Sequence, residues 1–574
     1  MPARFGRRTL PARRLGLSLP LGNGAVYLSN GPPRSGDVVQ RIGDPMFVDA
    51  RSVPTGSVIV TDVCIVGAGA AGITLAREFT HSRFRVILLE SGGAKMEQAT
   101  QDLYAGSDIG RPYDIFPASR RRYFGGTTNC WQHRVWCDMP NSVDFEMREG
   151  FPYSGWPFSL SYLAPWYRRA QTVLKLGPDD YALSDWGIAS SDIPEPFRGP
   201  HFVCKVLQQG TRTPFGAQYG PELRQARNLS VYLHANALRF DASENGGAVR
   251  QVNVGVLPDG RFTVRARIYI LAAGGIENAR LLLLSETEAG ISLGNDHDLV
   301  GRFFMLHLEY SGGIIVRTDP NADLTFQTGE NGARYNRLGV TRHFVSYICL
   351  SNETRRQLKL PNFRVRFQYP RIPEMDALRR LINRSDRGAD TLHDLGSVIR
   401  EFPGVATYIA RLIVYGRNKP PVPMASIPLN CTSEQMPNPD SRIGLGKDLD
   451  VFGLRKVIVD WQLTAEDKRG MAIGNRLLGT ELGRGGFGRL QSTFPEDDSE
   501  WPNDMYGDQH HIGTTRMQRD PSMGVVDENC RVHGVVNLYV AGSSVFPTGG
   551  TFNPMLTVVT LALRLADHIK ERLR

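Results

Sequence analysis

Seven cysteines in 574 residues is a sparse supply, and Cys64, Cys130, Cys137, Cys204, Cys349, Cys431 and Cys530 are scattered, with no C-x-x-C and no short Cys/His spacing. A disulfide-stapled scaffold and a structural zinc module are thereby excluded, no metal site is expected, and the default compartment is the reducing cytoplasm. No run approaches the ~18 consecutive apolar residues that a membrane-spanning helix needs. Acids are missing from residues 1–36, where Arg4, Arg7, Arg8, Arg13, Arg14 and Arg34 supply six of the net nine positive charges. The basic balance is therefore a property of the N-terminal stretch, and it gives the rest of the chain no nucleic-acid footprint. The arginine pairs suggest an exported chain as the alternative location, but residues 15–21 are short, broken by Pro20 and followed by no small-residue cleavage site. Internal repeats and coiled-coil heptads are also absent.

What is present is an ordinary globular composition, 41% hydrophobic and 22% charged, in a chain longer than one core usually covers. Two domains are expected. Residues 58–66 read Val-Ile-Val-Thr-Asp-Val-Cys-Ile-Val, a buried parallel strand, and residues 73–79 open a helix. Between them lies Gly67-Ala68-Gly69-Ala70-Ala71-Gly72. Gly67 permits the tight turn, Gly69 lets backbone approach a pyrophosphate, Gly72 lets helix and strand pack, and the free N–H groups of the helix start face the phosphates. A second strand over 85–89 ends at Glu90, followed by Ser91, where an acid can accept from ribose hydroxyls and repel a 2′-phosphate. Residues 268–275 read as another buried strand, ending in Ala272-Ala273-Gly274-Gly275. No second G-x-G-x-x-G unit offers a place for a nicotinamide partner, so a tightly held flavin fits better than NAD.

Three further segments carry chemistry: Phe124-Gly125-Gly126-Thr127-Thr128-Asn129-Cys130-Trp131, the block His510-His511-Ile512-Gly513-Thr514-Thr515-Arg516-Met517, and Ala541-Gly542 with Asn553-Pro554-Met555. A neutral imidazole is the natural base for a hydroxyl proton near neutral pH. An Asn before Pro at the head of an apolar helix suits either a cap or a polar site residue, since one amide can donate and accept.

Together these residues resemble the glucose–methanol–choline (GMC) family of FAD-dependent oxidoreductases, over about 58–574, with a C-terminal block like that of the branch containing pyranose oxidase and bacterial sugar dehydrogenase subunits. The resemblance implies His510 as catalytic base, three residues before Gly513, with Asn553 sharing the substrate hydroxyl. It implies FAD contacts at Gly67, Gly69, Ala70, Ala71, Gly72, Glu90, Ser91, Gly125, Gly126, Thr127, Asn129, Cys130, Ala273, Gly274, Ala541, Gly542, Asn553, Pro554 and Met555. In pyranose oxidases the residue before the Trp is a histidine that attaches the flavin; here it is Cys130, so FAD is expected to be bound without a covalent link. Gln132 and His133 replace the Gly-Gly that many relatives carry after the Trp. The segment ending in Met305-Leu306-His307 resembles a family segment and is read as structural.

The implied fold is α/β: a Rossmann-like FAD-binding domain with an inserted α+β substrate domain built on an antiparallel sheet. Expected divisions are a basic extension over 1–54, FAD-binding pieces at 55–150, 200–306 and 500–574, and substrate-side pieces at 151–199 and 307–499. Strands around 312–317 and 363–369, helices over 397–413 and 464–479, a turn over 436–443 and a proline-rich loop over 418–424 fill the second domain. Trp156, Tyr162, Trp166 and Tyr167 are read as core in preference to a sugar platform. The implied activity is oxidation of an alcohol, a sugar, glycoside or polyol hydroxyl, with oxygen, a quinone or a redox protein as electron acceptor. A lyase on the same scaffold is the alternative.

Overall fold

The strand Val58–Val66 sits where its β-branched sequence requires, buried along most of its length at the middle of a parallel ladder. The computed structural model describes residues 39–40 and 47–574 except 114–118, 132–134, 178, 286–291, 323, 325, 327–334, 338–339, 343, 369–423 and 498–499. The arginine-rich extension, Gln132, His133, the expected helix over 397–413 and the loop over 418–423 lie outside the described residues.

The first sheet runs in the order Phe47–Asp49, Leu229–Leu233, Val86–Leu89, Val58–Val66, Gly260–Leu271, Val249–Val256 and Asn236–Ala242. Its first five strands are parallel and its last two antiparallel. Leu538–Val540 pairs in parallel with the end of Gly260–Leu271, Tyr539 opposite Ile270. That pairing brings the C-terminal residues to the nucleotide turn, because Leu271 is also in register with Val66. Gly67 is at φ +102°, and a Cβ there would lie 2.6 Å from the Ala272 carbonyl oxygen. A Cβ on Gly72 would lie 1.8 Å from the Gly67 oxygen, so helix Ala70–Phe79 meets its strand only through glycine.

The terminal helix Met555–Leu573 packs on Ala70–Phe79 and on Leu160–Leu174. Its contact with Leu160–Leu174 is stitched by polar pairs: Tyr167 and Thr557 share a hydrogen bond of 2.8 Å, and Trp166 donates its indole N–H to Asp567 at 2.9 Å. Trp156 is buried and donates to Thr548, while Tyr162 is exposed on helix Leu160–Leu174. Trp156 and Tyr167 also line a separate cavity of about 620 Å³, away from the glycine turn.

The second sheet is antiparallel, in the order Gly488–Gln491, His307–Arg317, Ser426–Glu434, Phe363–Phe367, Phe344–Leu350, Phe202–Gln209 and Trp136–Cys137, with Tyr506–Gly507 beside His307–Arg317. Strands Phe202–Gln209 and Trp136–Cys137 thus join this sheet, although divisions at 150 and 199 assign them to the nucleotide-binding pieces. The chain crosses between sheets more often than its sequence suggests. The turn before Arg442 leads into the pair Arg442–Leu449 and Arg455–Asp460, which joins Gly106–Asp108 in a small third sheet. Helix Ala465–Arg484 runs past the expected end at 479, and starts with a capping box in which Thr464 and Asp467 exchange side-chain and backbone hydrogen bonds. Residues 38–574 form one compact unit. Among the described residues no helix is long and apolar enough to cross a membrane.

Candidate active site

A cavity of about 450 Å³ opens at the ends of the parallel strands. Its walls include Gly67, Gly69, Ala70, Ala71, Glu90, Ser91, Gly126, Thr127, Cys130, Ala273, Gly274, His510, Ala541, Gly542, Asn553, Pro554 and Met555. Crevices outside the carboxyl ends of parallel strands are where open α/β sheets bind ligands. Three expected contacts stand behind the wall. Gly72 is consumed by helix–strand packing. Gly125 is a left-handed residue at φ +100° pressed against Asn129 and Gly216. Asn129 turns its amide inward, donating to the carbonyls of Phe124 and Gly126 at 3.1 and 2.8 Å, and so holds the loop without facing the cavity.

The wall has the form a dinucleotide requires. A Cβ on Gly69 or Gly274 would meet nothing within 4 Å, so both face open space, whereas one on Gly126 would strike the Gly69 Cα at 2.8 Å. The loop and the turn are therefore in van der Waals contact, leaving a slot bounded by bare backbone. Helix Ala70–Phe79 has Gly69 at its N-cap and no side chain accepting its first N–H groups, leaving them for a phosphate. Helix Met555–Leu573 likewise starts from Pro554 with no side-chain cap. Glu90 accepts the N–H groups of Ala68 and Gly92 at 2.9 and 3.0 Å, and burial raises its carboxyl above the usual range.

Sequence reasoning overlooked a buried ionic cluster on the same wall. Glu277 receives Arg120 at 3.0 Å, Arg122 at 3.4 Å and Arg280 at 3.5 Å, and Arg280 also meets Asp450 at 2.7 Å. Burial alone would raise the Glu277 carboxyl, but Arg280, Arg122 and Arg120 overrule it and hold it below its ordinary value. The run Arg120-Arg121-Arg122 just before the Gly-Gly loop was the available signal.

His510 lines the cavity, and its Nδ1 is in hydrogen-bonding contact with the Asp508 carboxylate. The same carboxylate oxygen lies 3.0 Å from Nδ1 of His307, and the two Nδ1 atoms are 3.1 Å apart. Asp508 Oδ1 accepts the backbone N–H of His307 at 3.1 Å and of His510 at 3.0 Å. Burial works to raise Asp508, and the two histidines overrule it, holding the carboxylate well below its ordinary value. His307 is fully buried at the head of strand His307–Arg317. Read from sequence as structural, it is in direct contact with the histidine that lines the cavity. Asp508, two residues ahead of His510, was not singled out.

His511 also borders the cavity, but its ring is taken up by the protein on the other side of the segment. Its Nε2 is 2.7 Å from the Tyr113 hydroxyl and its ring stacks on Phe304. Burial depresses it to about 3, so it is a neutral ring at working pH.

Asn553 does not cap the helix that follows it. Its side-chain N–H donates to the Trp136 carbonyl at 3.0 Å and its backbone N–H donates to Asp138 at 2.8 Å. Among the described residues nothing donates to its Oδ1, and the side chain lines the same cavity as His510.

The glycine turn at the ends of the parallel sheet thus shares one cavity with an imidazole and an amide from the far end of the chain. Residues 437–562 match the family described as GMC oxidoreductase. The chain is 23% identical to the fructose dehydrogenase large subunit of Gluconobacter japonicus, over 89% of this chain and 98% of the relative. It is 24% identical to the 6'''-hydroxyparomomycin C oxidase of Streptomyces lividus, over 90% and 92%. Among solved structures, a formate oxidase variant of Aspergillus oryzae aligns over 91% of this chain and 99% of that one, with a TM-score of 0.52 at 17% identity. Residues 437–562 thus carry a GMC oxidoreductase C-terminal domain, and the full-length likenesses are to proteins named as dehydrogenases and oxidases. These likenesses support an FAD-dependent oxidoreductase acting on CH–OH groups.

Proposed function

We propose that the substrate is a hydroxyl of a sugar, glycoside or polyol, that His510 takes the hydroxyl proton, and that Asn553 holds the hydroxyl. The observation that supports this reading is the pairing of His510 and Asn553 on one cavity with the glycine turn, the ring of His510 tied through Nδ1 to Asp508. Nε2 is the remaining basic nitrogen. Asn553, fastened to Trp136 by one N–H, has its Oδ1 to accept from the hydroxyl and orient it. Bound FAD would supply the acceptor for a hydride from the carbinol carbon, while the hydroxyl proton goes to His510. The two relatives named above are by name the large subunit of a fructose dehydrogenase and a 6'''-hydroxyparomomycin C oxidase, which favours a sugar-like alcohol here.

Gly67, Gly69, Ala70 and Ala71 would hold the pyrophosphate, Glu90 and Ser91 the ribose, and Gly126, Thr127, Cys130, Ala541, Gly542, Pro554 and Met555 the flavin side. The start of helix Met555–Leu573 favours negative charge at its end of the cavity. Burial raises the Cys130 thiol, leaving it protonated and a poor nucleophile, in keeping with non-covalent FAD. All seven cysteines are free, which suits a cytoplasmic location.

The test is an anaerobic titration of the flavin spectrum with sugars, glycosides, polyols and simple alcohols. Bleaching by a polyhydroxy compound but not by simple alcohols supports the reading, and its loss in His510→Ala supports the role of the base. Retained flavin that no alcohol bleaches favours the lyase. Rapid recovery in air identifies oxygen as acceptor; slow recovery leaves a quinone or a redox protein.

A further inference from the structure

We propose that Asp508 and His307 are positioning residues that set the tautomer of His510, fixing its proton on Nδ1 and leaving Nε2 as the basic atom. This rests on the reading of His510 as the base. A carboxylate only accepts hydrogen bonds, so the contact between Asp508 Oδ2 and His510 Nδ1 requires a proton on that nitrogen. The 3.0 Å contact from Oδ2 to His307 Nδ1 requires one there too. Two protonated Nδ1 atoms 3.1 Å apart do not bond each other; they converge on one oxygen. His307 Nε2 lies 3.3 Å from the Gly549 carbonyl, which also only accepts. With both nitrogens donating, His307 is an imidazolium paired with the Asp508 carboxylate.

Burial opposes charge on His307, and Asp508 overrules it, raising the imidazole above its ordinary value. The pair is locally neutral, and that is its use. An uncompensated carboxylate beside His510 would favour its protonated form and spoil it as a base, whereas one balanced by His307 orients the ring without filling Nε2. When the hydroxyl proton arrives at Nε2, the Asp508 oxygen is already placed to stabilise the imidazolium, the role a buried carboxylate plays behind a catalytic histidine. Backbone hydrogen bonds from His307 and His510 to Oδ1 keep the carboxylate from rotating away. The other groups facing the trio are Arg364 on strand Phe363–Phe367, which acts on His307, Tyr506, which interacts with Asp508, and His511, which is neutral.

The test uses FAD-loaded enzyme and two readouts: the pH profile of kcat/KM, and the tautomer of His510 from nitrogen NMR of ¹⁵N-histidine-labelled protein, assigned with His510→Ala. Asp508→Asn is expected to lower kcat/KM about a hundredfold or more, with little change in KM, and to shift His510 toward the Nε2–H tautomer. It also moves the acid limb of the profile to lower pH, because a negative charge is removed. His307→Gln moves that limb to higher pH, because a positive charge is removed. Opposite displacements by two neighbours are not produced by loosened packing. Should Asp508→Asn fail to fold, as flavin content and melting reveal, His307→Gln carries the test alone.

The proposal is overturned if both variants keep the wild-type profile and tautomer while His510→Ala is inactive. It is also overturned if chelation abolishes turnover and zinc restores it, since Nδ1 of both histidines and the Asp508 oxygen lie within 4.8 Å of one another. Undiminished turnover in His510→Ala would instead remove the base assignment, and the tautomer readout would still decide whether Asp508 sets the ring.

Discussion

The side-chain amide of Asn553 donates to the main-chain carbonyl of Trp136 at 3.0 Å, joining positions 417 residues apart. One N–H of the amide is thereby spent on the protein, and the backbone N–H of the same residue is spent on Asp138. The side chain is held by both ends of its own residue, which is what a group that must orient a small hydroxyl needs. Asn553→Ala removes the amide and keeps the backbone bond to Asp138, so the loop should stay in place. The expected result is normal flavin content with kcat/KM reduced about a hundredfold, comparable to losing one preorganised polar contact at a reacting centre. Flavin absorbance per protein and steady-state kinetics measure the two separately.

Gly69 and Gly72 sit three residues apart and predict opposite failures. Gly69 has φ −84°, which any residue adopts, and open space where its Cβ would be. Gly69→Val should therefore fold with a flavin-free melting temperature close to wild type, and lose cofactor because the branched side chain stands in the slot. Gly72→Ala places a Cβ 1.8 Å from the Gly67 oxygen, a clash with backbone that side-chain motion does not relieve. That variant should give little soluble protein. Soluble yield and the flavin-to-protein absorbance ratio distinguish the two.

The parallel sheet, the glycine turn, the acid at its second strand and the terminal helix were all legible, because each is written in local pattern: β-branched runs, G-x-G-x-x-G and a continuous apolar helix. His510 and Asn553 reach one cavity as the family resemblance implied. What escaped was the set of long-range partners. His307 meets Asp508 and His510 across about two hundred residues, beside the strand pairing of 308–309 with 506–507, for which no local pattern exists; Asp508 is two residues from His510, but nothing local marks it as a partner of His307. Phe202–Gln209 and Trp136–Cys137 look like any short strand, and their membership of the second sheet depends on the pairing of Phe344–Leu350 with Phe202–Gln209. Asn129, Gly125 and Gly72 were assigned to the cofactor wall on motif alone; their side chains or Cβ positions turn toward the protein.

The loop that carries Asn553 is anchored by Glu434, which takes Arg148 in a two-point ion pair at 2.9 and 2.7 Å and accepts the Gly550 N–H at 3.1 Å. Burial alone would raise this carboxyl; Arg148 and Arg355 overrule it and hold it well below its ordinary value. A carboxyl with a depressed folded value gives stability that is present above the unfolded value near about 4.3 and is lost as pH falls below it. Glu434→Gln should cost about 3–5 kcal/mol at pH 7, since it leaves buried guanidinium groups without their partner. Urea unfolding at pH 7 and at pH 3 checks both statements: the variant is much weaker at pH 7, and the gap narrows as pH falls from about 4.3 toward the depressed folded value.

His511 makes a separate pH prediction with its own sign. Burial depresses it to about 3 in the folded protein, while in the unfolded chain it titrates at the ordinary histidine value of about 6.5. Between those values the unfolded state binds a proton that the folded state refuses, so stability falls as pH is lowered through the unfolded value. From pH 7.5 to pH 5.5 this one residue should remove about 1.4 kcal/mol of stability. His307 acts in the opposite sense, because its value is raised, so the wild-type curve alone does not isolate His511. The comparison with His511→Gln does: an amide can still meet the Tyr113 hydroxyl and has no proton to gain. The variant's urea midpoint should lose less ground than wild type between pH 7.5 and pH 5.5. Parallel curves over that interval would mean that His511 is protonated in the folded state and that the neutral ring against Tyr113 and Phe304 is wrongly assigned.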